Sequence, residues 1–245
     1  MTERFVKTDG GRLWTFAQSS GIPLVLCNGG PGCCDYLAPV AAMLDDIAQN
    51  IRFEARGCGR SDAVPPYTVA TCLADLEAIR QYYDVERWIV GGHSAGADLA
   101  LAYALEYPEH AIGFICISGG RIHDDREWHR IYSERRDQGL ETLPSFDYPP
   151  NLEVNAEVNH SWKQYIQRPS LLKQIAHLDR PALFVYGERD IRPSWPVEQV
   201  AQLLPNAAFY MIAGADHHIW VTHPEQLKAA IRAFVQQIVQ AERHR

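Results

Sequence analysis

The sequence predicts an α/β domain built on a mostly parallel sheet, with helices on both faces and a short helical insertion. Three observations predict it. Short apolar runs ending in turn residues alternate with segments of helical periodicity, as expected of a parallel sheet covered by crossover helices. The stretch from Ala95 to Tyr107 is apolar almost all round, which suits a helix at the centre of a layered domain. Between about Arg121 and Ser170 the alternation stops, with no convincing strand.

The elements follow in order. Met1 to Gln18 begins with a hairpin turning at Asp9-Gly10-Gly11. Ile22 to Cys27 is an apolar strand running into glycines, and Ile51 to Ala55 is a weaker one. Leu73, Leu76, Ile79 and Tyr83 recur at helical intervals, and Trp88 to Val90 returns as a strand. The apolar helix that follows stops at Pro108, which cannot continue it. Ile112 to Ile117 is the next strand. In the insertion, Asp124 to Gln138 is charged and helical and carries Trp128 and Tyr132. Leu143 to Asn151 reads as a loop because of Pro144, Pro149 and Pro150, and Glu153 to Gln167 is helical again, with Trp162 and Tyr165. Ala182 to Tyr186 and Ala208 to Ile212 complete the strands, and Leu227, Ile231, Phe234 and Ile238 mark a final amphipathic helix. Short apolar strands of this kind are expected to be buried on both faces. The expected organisation is a core of residues 1–120 and 171–245, interrupted by a helical cap of residues 121–170.

Composition narrows the function. The 245 residues are 47% hydrophobic and 22% charged, with a net charge of −7, which excludes a disordered chain, a collagen-like fibre and a disulfide miniprotein. No long Lys/Arg run offers itself to a nucleic-acid backbone, so no nucleic-acid partner is expected. Met1 to Gly10 holds no signal-peptide core, and no stretch approaches the roughly 18 apolar residues of a membrane span. A cytoplasmic protein without a membrane partner is the expectation. The six cysteines, Cys27, Cys33, Cys34, Cys58, Cys72 and Cys116, show neither a disulfide framework nor paired C-x-x-C spacing, and reduced thiols are expected.

Four loops carry chemistry. Gly92-His93-Ser94-Ala95-Gly96 is a G-x-S-x-G between a strand and the apolar helix. In that context a tight turn exposes the serine hydroxyl and admits only small neighbours. The helix N-terminus adds backbone N–H groups where negative charge can develop. Asn28-Gly29-Gly30-Pro31-Gly32 follows the strand ending at Cys27. Its glycines let backbone approach a ligand, and the N–H of Gly30 could pair with that of Ala95 as an oxyanion hole. A phosphate loop would need the Lys of G-x-x-x-x-G-K-[ST], which is missing. Asp190 and His217 each lie in a loop beyond a strand C-terminus, where ligands bind in open parallel sheets. Ser94, Asp190 and His217 can therefore act as nucleophile, orienting acid and base. Asp216, His217, His218 and His223 could suggest a metal site, but adjacent histidines seldom turn to one ion and no second cluster supports it; no metal and no cofactor are expected. Glu54 and Arg56 read as a structural charge network, and Glu127, Glu134, Glu141, Glu153 and Glu157 as mostly solvated. Trp128, Tyr132, Trp162 and Tyr165 are candidate substrate contacts.

With these residues on the page, the chain resembles α/β-hydrolase-fold serine hydrolases over nearly its whole length, and within them the proline iminopeptidase-like group. Gly29-Gly30-Pro31-Gly32 with Asp35-Tyr36-Leu37 resembles that group's G-G-P-G…D-Y-L. Arg56-Gly57-Cys58-Gly59-Arg60-Ser61 resembles its R-G-x-G-x-S, and Asp216 to Glu225 its G-H-x-x-W-x-x-H-P-E. The chain order Ser, Asp, His is that of α/β-hydrolases. The resemblance implies the nucleophile at Ser94, the acid at Asp190, the base at His217 rather than His218, and oxyanion donors at Gly30 and Ala95. Asn28 stands where the group usually has His, His93-Ser94-Ala95 replaces its aromatic-flanked serine, and the insertion is shorter than the cap whose acidic groups hold a peptide's free amine. The expected activity is hydrolysis of an ester or amide of a small molecule or short peptide through an acyl-enzyme. The alternatives are a carboxylesterase, lactonase or carbon–carbon bond hydrolase with the same triad, or a non-catalytic ligand-binding protein on this scaffold.

Overall fold

The computed structural model describes residues 2–244. Strands β1 (Thr2–Thr8) and β2 (Gly11–Gln18) form the N-terminal hairpin, pairing Thr2 with Ala17 and Thr8 with Gly11. Strand β3 (Ile22–Cys27), helix α1 (Ala38–Ala42), strand β4 (Ala48–Phe53), helix α2 (Val69–Tyr82), strand β5 (Trp88–His93), helix α3 (Ala95–Glu106) and strand β6 (Ala111–Ile117) come next. Helices α4 (Arg126–Asp137), α5 (Leu152–Ile166) and α6 (Leu171–His177) lead to strand β7 (Ala182–Gly187), helix α7 (Trp195–Leu203) and strand β8 (Ala207–Ile212). Helices α8 (Ile219–Thr222) and α9 (Pro224–Arg243) end the chain. The strand order is β1-β2-β4-β3-β5-β6-β7-β8. β2 pairs antiparallel with β1 and with β4, and the pairs from β4 through β8 are parallel.

Side chains that alternate along the central strands separate the core into two layers, because successive residues of a strand face opposite sides of the sheet. Val25, Val90, Phe114 and Phe184 pack with Leu76 and Ile79 of α2 and Leu101 and Tyr103 of α3. Their neighbours Leu24, Ile89, Ile115 and Val185 pack with Val40 of α1 and Leu227, Ile231 and Val235 of α9. Helix α3 is thus covered by the sheet on one side and by α2 beside it, which is why it carries almost no polar face. Leu171 and Ile175 of α6 join the first layer.

Two sequence expectations are corrected. The weak strand begins earlier, at Ala48, and ends at Phe53. Pairing with β3 starts at Ala48 opposite Ile22, while Glu54 leaves the ladder to receive ion pairs. β8 is not buried on both faces: Tyr210 and Met211 are exposed, because β8 is the edge strand of the sheet. Short helices α1, α6, α7 and α8 also lie outside the periodic patterns.

Glu54 and Arg56 do not pair with each other. The fully buried Glu54 accepts from Arg60 Nη2 at 2.7 Å and Nε at 3.0 Å, and from the Asp35 N–H at 3.2 Å. Arg56 forks onto Asp75 of α2 through Nε at 2.8 Å and Nη2 at 2.6 Å. These paired charges stiffen the loop after β4 against α2.

Gly96 sits where β3 and α3 come closest. A Cβ there would fall well inside contact with the Cys27 carbonyl and against the Asn28 oxygen. Both obstacles are backbone, so relief requires prising the helix from the sheet. Gly96→Ala is expected to lower unfolding free energy by about 2 kcal/mol or more, as overpacking of a tight core does. A urea midpoint unchanged from the parent would contradict this packing.

Candidate active site

The turn from β5 into α3 is strained in the way the small residues around it allow. Ser94 has φ 55° and ψ −124°, a conformation that costs a non-glycine residue about 1–3 kcal/mol unless its surroundings hold it. Its N–H donates to the Ile117 carbonyl at 2.9 Å. A Cβ on Gly92 would strike the backbone of Gly96, and one on Gly29 would come within 2.8 Å of the Ser94 Cβ. The turn can therefore close only because these neighbours lack side chains, and it leaves Ser94 half-buried rather than covered.

Asp190 and His217 come from loops after β7 and β8 and meet in the interior. His217 Nδ1 lies 2.6 Å from Asp190 Oδ2, and both residues are buried, at 2% and 3% exposed. Burial pushes the Asp190 carboxyl up, opposed by Arg192, whose N–H donates to Oδ1 at 2.9 Å and whose Nη1 lies 3.5 Å away. Burial, and then the charges of Arg192 and His218, hold the His217 imidazole well below its ordinary range. The neutral ring donates Nδ1–H to the carboxylate, and this tautomer leaves Nε2 as an acceptor.

A residue that the sequence reading passed over ties these loops together. The His217 carbonyl accepts from Ser118 Oγ at 2.9 Å and from His93 Nε2 at 3.1 Å. A carbonyl can only accept, so His93 carries its proton on Nε2. Burial keeps His93 neutral, and its Nδ1 therefore accepts from the Tyr36 hydroxyl at 2.7 Å. The Tyr36 oxygen in turn accepts from the Gly29 N–H at 2.6 Å. The one clue to this in the sequence is that His93 directly precedes Ser94, where its backbone is committed to the turn and its side chain must point inward.

The N–H groups of Gly30 and Ala95 have no acceptor among the described residues. Both belong to segments that leave donors free: a glycine at φ 47° in a turn and the first residue of α3, whose opening N–H groups have no helical partner. Beside them lies a mostly apolar cavity of about 70 Å³ whose lining includes Gly29, Pro31 and Ala95. Of the four aromatic candidates, Trp162 lines this cavity and the other three do not. Trp128 is buried, donates Nε1–H to the Pro193 carbonyl at 3.0 Å and stacks on Tyr132. Tyr132 lies under the Arg192 guanidinium, and Tyr165 packs on Arg168 and donates to Glu106. None of Glu127, Glu134, Glu141, Glu153 and Glu157 lines the cavity; Glu141 instead pairs with Arg192 at 2.7 Å.

The histidines group differently from the set considered in the sequence. Asp216 accepts from Thr142, and the half-buried His223 turns to Thr222. His217 and His218 do converge, together with His93, with ring nitrogens within 4.8 Å of one another. The donor set does not suit an ion, because both His93 nitrogens, His217 Nδ1 and His218 Nδ1 are all engaged in hydrogen bonds, the last donating to the Thr142 carbonyl at 2.8 Å.

Comparison with known proteins agrees with this architecture. A family model for the alpha/beta hydrolase fold matches residues 22–146. A proline iminopeptidase of Saccharolobus solfataricus is 33% identical over 164 residues, which is 62% of this chain and 52% of that protein. The chain covers 32% to 54% of the length of the first proline iminopeptidases it matches. Among solved structures, a thermophilic esterase from Thermogutta terrifontis superposes with a TM-score of 0.79 at 21% identity, covering 97% of this chain and 99% of the other. The proline iminopeptidase of Mycobacterium smegmatis gives 0.76 at 18%, covering 98% and 100%.

The depressed His217 predicts the pH dependence of any reaction that uses it as a base. A base with a lowered pKa stays unprotonated as pH falls through the ordinary imidazole range. The acid limb of kcat/KM, which reports the free enzyme, is therefore expected to have its midpoint below 6.5, with a plateau through neutrality. A pH–rate profile with the acid limb centred above 6.5 would contradict the assigned environment.

Proposed function

The chain belongs to the α/β-hydrolase fold family, and on that premise we propose that it is a serine hydrolase that cleaves esters or amides of small acyl groups through an acyl-enzyme. The observation that carries the reading is the buried His217–Asp190 hydrogen bond at 2.6 Å, pinned through His93 to the strained turn that presents Ser94. Such an arrangement costs conformational strain and buried polarity, and a purely ligand-binding protein has no physical need of it.

In this reading Ser94 Oγ attacks the substrate carbonyl carbon as His217 Nε2 takes its proton. The ionised Asp190 holds the ring in the required tautomer and stabilises the imidazolium. The developing oxyanion is held by the N–H groups of Gly30 and Ala95, which need no reorganisation because they have no acceptor among the described residues. His217 then gives its proton to the leaving group, and the C–O or C–N bond breaks. Water, deprotonated by His217, attacks the acyl-enzyme, and Ser94 is regenerated. The apolar cavity beside Ala95 suits a small acyl chain, and the engagement of Glu141 with Arg192 argues against the cap as the holder of a peptide's α-amine.

Two expected outcomes test the proposal. A fluorophosphonate should add once to the protein, at Ser94, and Ser94→Ala should abolish both labelling and turnover while leaving the circular dichroism spectrum unchanged; equal labelling of the variant would refute the nucleophile. His217→Ala should lower kcat by about 10⁴-fold or more, as loss of a triad member does. His218→Ala, which loses a hydrogen bond to Thr142 and ring contacts with its neighbours, should cost about tenfold through positioning. The reverse ranking in folded variants would move the base to His218.

A further inference from the structure

The cavity wall holds two charged side chains, Arg56 and Asp98. Arg56 is spent on Asp75 through two hydrogen bonds, at 2.8 and 2.6 Å. Asp98 is different. It is 6% exposed, and its Oδ1 accepts from the N–H groups of Gly120 at 2.8 Å and Arg121 at 3.0 Å. Its Oδ2 receives no hydrogen bond among the described residues. The nearest cation, Arg121 Nε, is 4.0 Å away, and that guanidinium lies 4.2 Å over the ring of Trp128. Asp98 therefore keeps one oxygen free of hydrogen-bond donors, with only a long ion pair to Arg121, in the wall of a space that a ligand can enter.

Geometry fixes which part of a substrate would meet it. Asp98 follows Ala95 by three residues on α3, so the two are neighbours on one face of the helix, about 4.5 Å apart along its axis and within its first turn after Ser94. The leaving group must face His217, which protonates it. The cavity lies on the other side: its wall is drawn from the segments after β3 and β4 and from α2, α3 and α5, with no residue from the loops after β7 and β8. The acyl chain of the substrate therefore enters the cavity. Around Asp98 the wall is apolar or weakly polar, with Leu99, Val154, Val158 and Trp162, and with thiols such as Cys27 and Cys72.

On the serine hydrolase reading above, we infer that Asp98 is the specificity-determining residue of this cavity and selects acyl groups that carry a hydrogen-bond donor, an ammonium or a hydroxyl, a few bonds from the scissile carbonyl. An apolar chain end would desolvate Oδ2 without giving it a hydrogen-bond donor. A donor would satisfy it, and an ammonium would do so with charge assistance. Sites built to bind a substrate donor reject the analogue that lacks it far more strongly than apolar pockets discriminate by size.

The test uses three nearly isosteric esters with one leaving group: 3-aminopropanoyl, 3-hydroxypropanoyl and butanoyl. The parent enzyme is expected to prefer both donor-bearing esters over the butanoyl ester by tenfold or more in kcat/KM; no such preference in the parent overturns the inference without any variant being made. Asp98→Asn keeps an oxygen for Gly120 and Arg121 but removes the charge. It should lower kcat/KM on the 3-aminopropanoyl ester at least tenfold, mainly through KM, and leave the butanoyl ester within about twofold. An equal loss on all three esters would mean that Asp98 only supports the loop at Gly120, and would overturn the inference. Failure of the hydrolase reading is distinguishable, since none of the esters would then be turned over in a Ser94-dependent way.

Discussion

A single line of buried hydrogen bonds, from the Gly29 N–H through Tyr36 and His93 to the His217 carbonyl, sets the relation of every part of the candidate site. Its members leave the sheet after three different strands. It ties the loop that carries Gly30 and the turn that carries Ser94 directly to the loop that carries His217. The line runs in one direction because a backbone N–H starts it and a carbonyl ends it. Each group between has just one way to orient its proton, and burial keeps His93 neutral so that the pattern is not disturbed near neutral pH. Such a fully satisfied network in a low-dielectric interior is stiff, and stiffness is what preorganised catalysis requires.

A second set of contacts reaches the same loops from the insertion. Arg135 of α4 donates to the Asp190 carbonyl at 3.3 Å, and Glu141 holds Arg192 beside Asp190. The Thr142 carbonyl accepts from His218 while its hydroxyl donates to Asp216. Besides lining the cavity with α5, this part of the chain braces the loops of Asp190 and His217 through the segment after α4. This explains why an aromatic pair expected to face substrate, Trp128 and Tyr132, is turned instead against Pro193 and Arg192.

Much of the fold was legible in the sequence because its signals are local. Apolar runs such as Ile22 to Cys27 and Ile112 to Ile117 are strands because little else buries so many branched side chains in so few residues. The all-apolar face of α3 announced its central place. The edge position of β8 was not legible: Phe209, Tyr210 and Met211 are as apolar as a buried strand, and only the order of strands leaves them without a neighbour. Glu54 and Arg56 stand two residues apart, yet the turn after β4 sends their side chains to different partners, Arg60 and Asp75. Among the residues of the site, Ser94, Asp190 and His217 were nameable from motif and chain order, since each occupies a turn whose small or polar neighbours are adjacent in sequence.

The sequence by itself determined the layered α/β architecture, the positions of the loops beyond the strand C-termini and the identity of the residues those loops offer. Only the tertiary structure decided which imidazole nitrogen meets Asp190, that His93 joins His217 to Tyr36, that Trp162 rather than Trp128 borders the cavity, and that the buried Asp98 reaches its wall. The reason is physical. Strand and helix patterns are written in neighbouring residues through periods of two and about 3.6. A hydrogen bond between residues 124 apart, like that of His93 and His217, depends on how the crossovers bring separate loops together and on which polar groups are left without water once they do.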